Sequence, residues 1–113
     1  MRKAQIENAA LEVAHQVRTV EETIDQAIGE IAELQSRLVS ARAVTGLGVA
    51  TSHAAFEQIA ATVGALVAAR GGIANCHGAL VEAKQFVPGL RTIAFGDHEC
   101  PPEEARTDLR IVA

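Results

Sequence analysis

A chain of 113 residues is one domain, or one domain with a tail. Ala, Val, Ile and Leu supply nearly all of its apolar content; there is no Trp or Tyr and only three Phe, so any core must come from long, closely packed elements. A net charge of -4 argues against nucleic-acid binding, and two distant cysteines with no apolar export run after Met1 point to a reducing cytoplasm.

The first element is a helix over about residues 4–43. From Ile6, apolar residues recur at alternating steps of four and three through Val13, Val20, Ile24, Ile31 and Ala41. Eleven successive seam positions are apolar, which a half-apolar composition produces by chance roughly once in two thousand frames. Strands cannot generate this period. Glu7, Glu12, Arg18, Glu22, Asp25 and Glu33 occupy the outer positions, so the helix is amphipathic with a coiled-coil-like seam.

A turn is expected over about residues 44–51. Two Gly and several β-branched residues disfavour helix there; Gly46 can stop the first helix, and Thr51 or Ser52 can cap the next. One unbroken helix in a parallel coiled coil satisfies the same heptads. Its middle would be Ala41, Thr45, Gly48 and Ser52, a weak seam, and the helix cost of glycine favours a hairpin.

The second helix is expected over about residues 52–87, ended by Pro88 and Gly89. Its seam alternates a large column (Ile59, Leu66, Ile73, Leu80, Val87) with a small one (Ala55, Thr62, Ala69, Cys76, Ala83). Away from that seam it still carries Phe56, Ala60, Val63, Val67, Ala74 and Val81, while Gly64, Gly71 and Gly78 form a further column seven apart. A helix apolar on more than one face needs more than one cover, and these nine residues are the expected oligomer interface. Arg70, His77 and Lys84 form a cationic column that should pair with acids of the first helix. Residues 58–69 are uncharged, but that run is short of the ~20 residues a spanning helix needs, so no transmembrane segment is expected.

Residues 89–113 differ in kind. Two similar apolar ends, Leu90 to Phe95 and Leu109 to Ala113, suggest an irregular or β-like C-terminal tail that docks elsewhere. Between them Asp97, His98, Glu99 and Cys100 are potential metal ligands. His98 and Cys100 share a side of an extended chain, though the absence of a Cys-x-x-Cys pair favours a solvated acidic loop. Cys100 beside His98 also lacks an evident orienting group or oxyanion donor for nucleophilic catalysis.

The sequence therefore predicts an all-α fold: a long antiparallel helical hairpin over residues 1–88, oligomerising into a helical bundle, with the tail at 89–113. The expected role is a non-enzymatic oligomeric interaction or scaffold protein without a cofactor. It is most simply a homodimer forming a four-helix bundle, with room for an unidentified protein partner. Two alternatives remain. One is an amphipathic protein binding a lipid or granule surface, in which respect the chain broadly resembles short Ala-rich helical proteins that coat storage granules. The other is a small metal-binding or redox protein using the tail.

Overall fold

A computed structural model describes residues 2–90. Two long helices, α1 (Arg2–Thr45) and α2 (Val49–Ala83), pack against each other as an antiparallel hairpin, and a 3-10 turn (Lys84–Phe86) extends α2. The unbroken-helix alternative is thereby set aside. Among the described residues there is no strand; the expected β-like tail lies outside them.

The connection is shorter than the sequence suggested. Gly46 adopts a left-handed backbone (φ 70°) and its N–H donates to the Arg42 carbonyl at 3.0 Å, which closes the end of α1. α2 then begins at Val49, three residues before the expected start. Ser52 is no cap. It lies inside the first turn of α2, where its N–H (3.3 Å) and its hydroxyl (3.2 Å) both donate to the Gly48 carbonyl. β-branched Val49 and Thr51 cost a helix only tenths of a kcal/mol each, too little to hold these three residues out of it. At the other end Gly89 is also left-handed (φ 90°), and the Leu90 N–H returns to the Val87 carbonyl at 3.2 Å.

Alanine at position 46 has to enter the left-handed region, so Gly46→Ala should cost about 1–2 kcal/mol. Thermal unfolding should record this as a lowered midpoint, of order 4–8 °C per kcal/mol. Gly48 has no such backbone, and a Cβ there meets nothing within 4 Å, so Gly48→Ala should leave the midpoint unchanged or raise it.

The described chain divides into two compact units, one containing residues 2–18 and 74–90 and the other Thr19–Ile73. In the second unit the α1 seam is as expected, with Val20, Ile24, Ala27, Ile31 and Leu38 half-buried. Leu34 and Ala41 depart from it: Leu34 remains 46% exposed, and Ala41 is exposed as well. Facing them are Phe56, Val63, Leu66 and Ile73, all half-buried, and Ile59, which is buried. In the first unit Ile6, Ala10 and Val17 on α1 face a row of His77, Val81, Lys84 and Val87, and Leu90 is buried.

This corrects the expected seam of α2. The large column does turn inward at Ile59, Leu66, Ile73 and Val87. The small column of Ala55, Thr62, Ala69, Cys76 and Ala83 is exposed throughout. The helix is rotated by about one residue, so that Phe56, Val63 and Val81 flank the large column instead. Burial favours this choice because stabilisation follows apolar area, and Phe or Val removes more of it from water than Ala or Thr.

Candidate functional site

Among the described residues only Ile59 and Leu90 are buried and no side chain is fully so, which leaves much of the apolar surface of the hairpin uncovered. The expected oligomer interface divides accordingly. In the second unit Ala60, Gly64, Val67 and Gly71 are exposed, with Val67 at 54%, while Phe56 and Val63 are half-turned towards α1. In the first unit Ala74, Gly78 and Val81 are half-buried. A Cβ added at Gly64, Gly71 or Gly78 would meet nothing within 4 Å. Among the described residues nothing therefore requires glycine at these three helical positions, although each costs about 1 kcal/mol relative to alanine.

Apolar residues surround α2, and its charges are sparse. The helix with its 3-10 extension, Val49–Phe86, is long and apolar enough to cross a membrane by length and composition, and only 6% of its most apolar window is buried. Counting only the fully uncharged run understated this stretch, because one or two charged residues do not end an apolar helix. Further apolar exposure lies at the hairpin turn, where Val44 (88%), Leu47 and Val49 stand out, and at Phe86.

Several ion pairs lie on the exposed surface. The Arg70 Nε–H donates to Asp25 Oδ1 at 2.6 Å, joining the two helices within the second unit as the cationic column suggested. The hydrogen bond to Asp25 and then its charge hold the Arg70 guanidinium above its ordinary pKa, against desolvation and with a lesser contribution from Glu21. Both side chains are more than half exposed, so the pair selects a face more than it stabilises. His53 with Glu57 and Arg37 with Glu33 are further exposed pairs along single helices. None of these groups converges on a shared point.

The second surface belongs to the first unit alone. An open cleft of about 370 Å³ lies between the start of α1 and the end of α2. Val13, Val17, Leu80, Val81 and Leu90 wall it, and Ala9, Ala10, Ala14 and Ala83 give it width. Among the described residues its polar side chains are His77 and Lys84, both half-buried and each already engaged in an interaction within the protein. The sequence reasoning missed this cleft. Its one legible signal is the cluster of alanines near the start of α1 and the end of α2, where two helices meet without filling the space between them.

Catalytic or metal chemistry finds no comparable arrangement among the described residues. Among the described residues no three His, Cys, Asp or Glu come together to hold a metal ion, and Asp97, His98, Glu99 and Cys100 lie outside them. Cys76 is exposed rather than seated in the seam. No protein-family model matches the chain, and neither a curated protein nor a solved structure shows significant similarity to it. The two apolar surfaces are what remains to read function from.

Proposed function

We propose that the chain is a non-enzymatic, self-associating helical scaffold of the cytoplasm, most simply a homodimer in which two hairpins form a four-helix bundle with both α2 helices inside. The observation that carries this is the exposure of α2. It has apolar residues on all sides, yet α1 covers one side only, leaving Ala60, Gly64, Val67 and Gly71 open. A second copy supplies a cover of matching length. The glycines let it approach closely, which gives them a use that the protomer lacks. Sedimentation velocity over a dilution series should find a dimer or higher oligomer at micromolar concentration. A monomer that stays soluble and helical would overturn the proposal.

A bilayer as the cover is the second reading, favoured by the length and apolar composition of Val49–Phe86. Flotation with phosphatidylcholine vesicles separates the two. The scaffold stays at the bottom of the gradient, and a lipid-seated α2 rises.

A further inference from the structure

We propose that the hairpin turn is a membrane-contact tip, where Val44, Leu47 and Val49 enter the head-group region of an acidic bilayer and Arg42 pairs with its anionic head groups. The tip lies wholly within the second unit. Of the exposed large apolar residues of that unit, Val44 and Val49 are the two most exposed, and Leu47 stands between them. Residues 43–52 carry no charge, and residues 43–51 are exposed without a break. Two of the three hydroxyls in this run are satisfied internally. Thr45 donates to the Ala41 carbonyl at 2.9 Å and Ser52 to that of Gly48, so neither needs water.

Charge and shape select the occupant. The chain has fourteen acids against ten Lys and Arg, yet residues 34–56 contain Arg37, Arg42 and His53 and no carboxylate. The bordering acids Glu33 and Glu57 are taken up by Arg37 and His53. Arg42 is the cation left at the base of the tip, and its buried Nε has no acceptor. An acidic surface repels the acid-rich remainder of the chain and admits this end, which orients the hairpin tip-first. A guanidinium is also the side chain best matched to phosphate oxygens. The apolar groups come from the last turn of α1, the connection and the first turn of α2, so they ring a convex end rather than form a flat patch. A fluid head-group layer takes such an end without needing a complementary groove. The outer face of α2 is not used, so the tip does not depend on self-association.

The test is co-sedimentation of the full chain with vesicles of phosphatidylcholine alone and of phosphatidylcholine mixed with phosphatidylglycerol. The mixed vesicles should bind saturably, and phosphatidylcholine alone about fivefold more weakly, the factor one basic residue contributes near an acidic surface. High salt and Arg42→Gln should each remove that preference. Val44→Glu should abolish binding to both vesicles, whereas Val67→Glu should leave it in place. Hydrogen exchange on the unmodified chain needs no variant to fold: vesicles should slow the amides of residues 44–50 and leave residues 64–71 unchanged. Three results overturn the proposal: no binding to the mixed vesicles, equal binding to both kinds, or slowing at residues 64–71 without slowing at the turn. The first would give the tip to a protein partner, and the last would seat α2 in the lipid instead.

Discussion

Val67→Glu should raise the dissociation constant of the assembly by about two orders of magnitude or more, because a carboxylate placed in an apolar interface without a partner costs several kcal/mol and 1.4 kcal/mol is tenfold. Val67 is 54% exposed in the protomer, so the hairpin itself tolerates the change. The effect then belongs to association. Gly71→Glu, one turn along the same open strip, should act alike, while Val44→Glu at the hairpin turn should leave the assembly intact. Sedimentation at matched concentrations compares all three. If Val67→Glu and Val44→Glu sediment like the unmodified protein, the outer face of α2 is not where copies meet.

Ile59→Ala should have the largest effect within the protomer. Ile59 is the one buried residue of α2, 7% exposed. Truncating a buried Ile to Ala typically costs about 2–5 kcal/mol, through lost transfer energy and the cavity left behind. Few other contacts in this hairpin are fully excluded from water, so little redundancy remains to absorb the loss. Urea titration at fixed protein concentration should show a lower midpoint with an unchanged slope. Val44→Ala, at a position 88% exposed, should stay within about 0.5 kcal/mol. Equal midpoints for the two variants would mean that Ile59 does not anchor α2 to α1.

The sequence made α1 legible because its faces differ. Glu, Asp and Arg mark the outside, so the apolar row has a phase, and Val20, Ile24, Ala27 and Ile31 are found half-buried in it. α2 offers no such contrast. With apolar residues on every side, the period of its pattern is visible but its phase is not, and tertiary packing decided between the Thr62 row and the Val63 row. The left-handed Gly46 was legible for a local reason, since only its backbone demand matters there. The cleft was not legible, because a space between helices depends on how two rows fit and no residue encodes it singly. Asp97, His98, Glu99 and Cys100 stay where the sequence left them, outside the described residues.

The left-handed Gly46 also decides which chain supplies the second arm. The contacts that α1 makes with its own α2 are the same contacts it would make with the α2 of another copy. If residues 46–48 became helical, two chains could exchange arms and keep every pairing at Ile59, Leu66 and Arg70. The core is indifferent to ownership. Among the described residues a three-residue hinge with one positive φ is what makes the hairpin a closed unit, and entangled pairs are the product to expect wherever that hinge is stiffened into helix.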